Sequence, residues 1–101
     1  MQEITVTVNN LVGLHARPAA VFVRTAAMFE CEVIVSGNNR SVNGKSILGV
    51  LTLGIDHGQR ITIRTNGPDE KEAIIELVQV LRLCEDDRTL QKLLKERARK
   101  A

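Results

Sequence analysis

Short segments in which every second residue is apolar recur along this chain, and they decide its architecture. In residues 3–8, Ile4, Val6 and Val8 share one face, while Glu3, Thr5 and Thr7 share the other. Cys31, Val33 and Val35 repeat the pattern, with Glu32, Ile34 and Ser36 on the wet side. Ile61 and Ile63 do the same between Arg60, Thr62 and Arg64. A period of two marks a strand with one buried face and one solvated face. Such strands belong to antiparallel sheets, because parallel sheets are covered on both sides. The stretch "SGNN" at 36–39 is a turn signal, and "RSVN" after it is long enough to return as a hairpin partner.

Helical periods fill the gaps between these strands. From Ala16, the residues Ala19, Phe22, Val23, Ala26 and Phe29 fall three and four apart and form one stripe. Pro18 sits in the first turn, where its missing N–H costs nothing. Ser46 opens a short apolar stretch to Leu53, read as two helical turns capped by the serine hydroxyl. Asp69 and Glu72 have the spacing of a capping box, with aspartate in place of serine or threonine. Ala73, Ile74, Leu77, Val78 and Leu81 then continue as one face. The order is βαββαβα. It predicts an α/β two-layer (α+β) sandwich, a four-stranded antiparallel sheet covered on one side by three helices.

Composition shifts at about Cys84. Residues 1–84 read as one domain, and residues 85–101 as a basic amphipathic C-terminal helical extension. Leu90, Leu93 and Leu94 keep helical spacing there, and residues 92–101 carry five basic side chains against Glu96 alone. The expectation is that these leucines lie against the body or against a partner.

The remaining composition excludes several classes of function. The 101 residues are 44% hydrophobic and 26% charged, the profile of one globular domain. A net charge of +2 is too small to argue for nucleic acid. Phe22 and Phe29 are the only aromatics, so stacking platforms for single strands are missing. "MQEITVTVNN" lacks the form of a signal peptide, and "ILGVLTLGI" is too short to cross a membrane. Cys31 and Cys84 do not make a disulfide framework, and reduced thiols in a cytoplasm are expected. The "NRS" at 39–41 has no glycosylation meaning without export. No cofactor is expected. A metal is not expected either, because His57 is the only other histidine and nothing stands at ligand spacing from His15.

The chemistry concentrates in "GLHARPAA", residues 13–20. A lone histidine at a helix start is usually only a polar residue. Here the start of a helix presents unpaired N–H groups and a partial positive charge, which together favour an anion. Arg17 adds a fixed cation with a forked donor array suited to phosphate. A positive setting disfavours imidazolium and leaves a ring nitrogen free to attack. Ala16, Ala19 and Ala20 are small and are expected to leave the site open to large partners. A helix terminus contributes only about 0.3–1 kcal/mol at exposed sites, which biases an anion without trapping it.

These residues resemble the active-site motif of the HPr family, the histidine-containing phosphocarriers of the bacterial phosphoenolpyruvate-dependent sugar phosphotransferase system. "KSILGVLTLGI", residues 45–55, resembles that family's regulatory serine segment, and the distance from His15 to Ser46 also fits. The resemblance covers roughly residues 1–84 and implies an open-faced sandwich. It implies that His15 accepts a phosphoryl group on Nδ1 from enzyme I and passes it to enzyme II A domains, with Arg17 binding the phosphate. The carrier is then a phosphorylated intermediate, not an enzyme with turnover of its own. Ser46 is implied as a regulatory site, in a sequence form closer to that modified by HPr kinase/phosphorylase. A transcriptional regulator is a further implied partner. Ile47, Leu48 and Leu51, with Ala16 and Ala20, are implied as the docking patch. Two turns cannot bury every apolar side chain, and Leu48 and Leu51 are expected outside if Val50 and Leu53 face the sheet. A monomer is expected. Val12 departs from the family, which often has a polar residue there beside the phosphate. Two alternatives remain: a regulatory paralogue acting mainly through Ser46 without sugar transport, and a plain α/β interaction module. The retained His15 argues against a version regulated by serine alone.

Overall fold

The computed structural model describes residues 1–8, 16–56 and 58–83, without the side chains of Ala16, Arg17 and Leu83. The strands are β1 (Gln2–Thr7), β2 (Glu32–Gly37), β3 (Arg40–Asn43) and β4 (Arg60–Asn66). The helices are α1 (Ala16–Ala27), α2 (Ile47–Thr52) and α3 (Glu70–Leu83). The observed order βαββαβα matches the sequence reading. All strand pairs are antiparallel, in the spatial order β1-β4-β2-β3. The three helices cover one face, giving the open-faced sandwich that the alternation requires.

The alternation shows why one face stays wet. Val33, Val35, Ile61 and Ile63 are buried beneath the helices, together with Thr65. On the other face, Thr5, Thr62, Ser36 and Ser41 stand in register across all four strands. Thr5 and Thr62 share a hydroxyl hydrogen bond of 2.9 Å, and Ser36 and Ser41 one of 2.7 Å. Asn38 and Asn39 close the β2–β3 hairpin with φ of 50° and 63°. Those values are the ones a two-residue hairpin turn needs, and asparagine tolerates them.

Some burial differs from the sequence reading. Ile4 is 36% exposed, because β1 is an edge strand with a single neighbour. Val21, Thr25 and Val80 are buried although they lie off the stripes read from the sequence. The reason is that α1 touches both α2 and α3, and α3 touches α1, β1 and β4, so each apolar arc is wider than one stripe.

The capping box at Asp69 is corrected by the structure. The Asp69 carboxylate accepts the backbone N–H of Glu30 at 2.8 Å and of Cys31 at 2.9 Å, binding the turn between α1 and β2. Glu70, not Glu72, reaches back, accepting the Gly67 N–H at 3.2 Å. The Glu30 N–H is the main cause that holds the Asp69 carboxyl below its usual range, and the Cys31 groups add to it. A depressed carboxylate stabilises the fold above its unfolded value and loses that contribution as pH falls through the folded one. Burial, then the neighbouring Asp69 carboxylate, pushes the Cys31 thiol up, so it stays protonated at neutral pH.

Gly67 completes this junction. A Cβ on it would lie 2.6 Å from Cys31 Cα and 2.8 Å from Cys31 Cβ. Gly67→Ala should therefore force the two loops apart and lower stability by about 1–3 kcal/mol. Urea denaturation reads this as a fall in midpoint. An unchanged midpoint would show that the junction is looser than the contact implies.

Candidate functional site

Short as it is, α2 is anchored at both ends. Six residues are too few for a helix to persist on intrinsic propensity. Ser46, with φ of −110° and ψ of 116°, is its N-cap. Its Oγ accepts the Gly49 N–H at 3.1 Å, and its carbonyl accepts the Val50 N–H at 3.0 Å. The cap expected from sequence is therefore present, with the helix starting at Ile47. At the other end, carbonyls left without helical partners find side chains from the hairpin. Arg40 Nη1 donates to the Thr52 carbonyl at 2.9 Å. Asn38 Nδ2 donates to the Leu53 carbonyl at 2.7 Å and to that of Gly54 at 3.2 Å. Sequence reading did not find Asn38 or Arg40, because their partners lie 12 to 16 residues along the chain.

This anchoring sets which apolar side chains of α2 face outward. Val50 and Leu53 are buried, as expected. Leu48 is 74% exposed and Ile47 38%. Leu51 is corrected: it is half-buried and packs on the core, since it falls between the outward and inward sides of two turns. The apolar patch is thus Leu48 with Ile47.

The start of α1 falls at Ala16, the residue directly after His15. His15, Val12, His57 and Cys84 lie outside the described residues, as do the side chains of Ala16 and Arg17 and the extension 85–101. Pro18 is buried and Ala20 is half-buried. Ala19 is corrected: it is fully buried core, so its small size serves helix packing and not access.

Ser46 lies at the far end of α1 from this start. Lys45 Nζ donates to the Phe29 carbonyl at 2.6 Å, just beyond the last turn of α1. Twelve residues of helix span about 18 Å. That exceeds the Debye length of about 8 Å at physiological salt.

The family described as PTS HPr component phosphorylation site matches residues 2–82. The chain belongs to the HPr family of the phosphotransferase system. It is 44% identical over 78 residues to the HPr-like protein Crh of Halalkalibacterium halodurans, covering 77% of this chain and 93% of that protein. HPr of Thermoanaerobacter tengcongensis superposes with a TM-score of 0.81 at 42% identity, over 84% of this chain and 96% of that one. Crh of Bacillus subtilis, described as a dimer with a swapping domain, gives a TM-score of 0.66 at 36% identity, over 83% and 97%. Proteins of this family are carriers and not catalysts. No helix among the described residues is long and apolar enough to cross a membrane, and they hold no cluster of metal ligands.

Ser46→Ala should remove the acceptor for the Gly49 N–H and lower stability by about 0.5–2 kcal/mol. Chemical denaturation measures it, and Ser46→Asn or Ser46→Asp should recover most of the loss.

Proposed function

We propose that this protein accepts a phosphoryl group on His15 Nδ1 from phosphorylated enzyme I and passes it to enzyme II A domains. The observation that carries the reading is the family match over residues 2–82 in a chain that retains His-Ala-Arg at the start of α1. The unpaired N–H groups of that first turn, with Arg17, favour the phosphoryl anion. Transfer forms an Nδ1–P bond as the bond from phosphorus to the donor nitrogen of enzyme I breaks. The reverse exchange delivers the group to the acceptor domain. Leu48 and Ile47 supply the apolar contact for both partners. The protein works in the cytoplasm as a monomer.

The experiment is intact mass after incubation with enzyme I and phosphoenolpyruvate. The protein should gain one acid-labile phosphoryl group and His15→Ala none, with Arg17→Glu phosphorylated much more slowly. A His15→Ala protein that still gains the group would overturn the assignment.

Ser46 is the proposed regulatory site, modified by an HPr kinase/phosphorylase and read by a transcriptional regulator. A phosphate there adds about −1.5 to −2 charges beside Leu48 while remaining compatible with the cap position. It changes which partners can approach without unfolding the helix. Ser46→Asp and Leu48→Ser should both melt close to the parent and both slow His15 phosphorylation by enzyme I several-fold. Only the Ser46→Asp deficit should shrink as salt rises, because exposed charges are screened. Equal salt dependence in the two variants would remove charge from this account.

A second reading follows from the 44% identity to an HPr-like protein Crh: a regulatory relative that acts mainly through Ser46. It requires that His15 not be phosphorylated by enzyme I at a useful rate, and the same mass measurement separates the two.

A further inference from the structure

One groove, lined by both aliphatic and polar groups, has no part in the proposed transfer. This groove, of about 320 Å³, lies between β1 and the last turns of α3, lined by Ile4, Thr5, Val6, Thr7, Val78, Leu81 and Arg82. A cavity of about 150 Å³ already holds a benzene-sized group, so this one has room for more than one aliphatic side chain.

Among the described residues, the groove runs along a strand edge with no partner on its outer side. Val8 donates its N–H to Gln59 and accepts from Gly58, so its backbone faces β4. Backbone direction alternates along a strand, and Val6 and Ile4 therefore also face β4. The N–H and C=O groups of Glu3, Thr5 and Thr7 point away from the sheet. An edge beside exposed apolar surface is a site for unwanted strand pairing, which proteins suppress by covering it with a helix or loop.

We propose that residues 84–101 of this chain provide that cover, with Leu90, Leu93 and Leu94 seated in the groove against Ile4, Val6 and Val78. The chain leaves α3 at Leu83, directly after the groove residues Leu81 and Arg82. Residues 84–89 supply six residues in which to turn back, a reach of up to about 20 Å. In a helix Leu90 to Leu94 spans about 6 Å, and the groove from Ile4 to Thr7 spans about 10 Å. The three leucines fall on one side of such a helix. Lys92, Lys95, Arg97, Arg99 and Lys100 then stay in solvent, and so do the open face of the sheet and Leu48. The extension lies beyond residue 82, where the family match ends, so the cover is a property of this chain and not of the shared fold.

Amide hydrogen exchange on the full-length chain tests this, comparing the parent with the Leu90→Ser/Leu93→Ser/Leu94→Ser variant. The amides of Thr5 and Thr7 should exchange about tenfold faster in the variant, while those of Ile63 and Leu77 keep their protection and report an intact core. The groove variant Val78→Ser should in turn speed exchange of the amides from Leu90 to Lys95. Equal exchange of Thr5 and Thr7 in parent and leucine variant would overturn the proposal. So would protection of those amides that rises when protein concentration is raised about tenfold, since that would assign the groove to a second copy.

Discussion

The fold depends on one turn, residues 28–31, that joins α1 to β2. Two other loops hold it through polar contacts of its backbone. Asp69 takes the N–H groups of Glu30 and Cys31, and Lys45 reaches the carbonyl of Phe29. Gly67 lies so close to Cys31 that no side chain fits between them. The loops before α2 and α3 are thereby fixed to the end of α1. All three helices are registered at this end of the molecule, so the opposite end of α1 is not needed to position them.

How much of this was readable from sequence follows from the range of each interaction. Strand alternation and helical stripes are local patterns, and they gave the element order, the hairpin at Asn38–Asn39 and the Ser46 cap. Family resemblance rested on "GLHARPAA" and "KSILGVLTLGI", and the match over residues 2–82 supports it. Asp69 was legible as a helix-start residue. Its real partners stand 38 and 39 positions away, and no local spacing encodes them. Val21, Thr25 and Val80 were missed for a related reason: a helix touched by two neighbours buries more than one stripe. The opposite error occurred at Ile4, whose pattern is that of a core residue but whose strand sits at an edge. Leu51 failed because two turns of helix have too few positions for a clean division into inside and outside.

The distance between the two motifs also constrains how they communicate. Lys45, the residue before Ser46, is bound just beyond the C-terminal end of α1, and α1 starts at Ala16, the residue after His15 in sequence. A shared hydrogen-bond network between them would have to run the length of that helix. A single surface lying along α1 and α2 would span that length.

The clamping of α2 at both ends has a kinetic meaning. Ser46 holds its first turn, and Arg40 and Asn38 hold its last carbonyls. Gln59 in turn donates to Asn38 Oδ1 at 2.7 Å, fixing the amide that does the holding. Leu48 is thus an exposed side chain on a backbone with little freedom left to lose. A partner that covers it gives up little conformational entropy in ordering this surface. Such a contact can form quickly without needing a large area to compensate for ordering. It can also break quickly, because little order is undone on release.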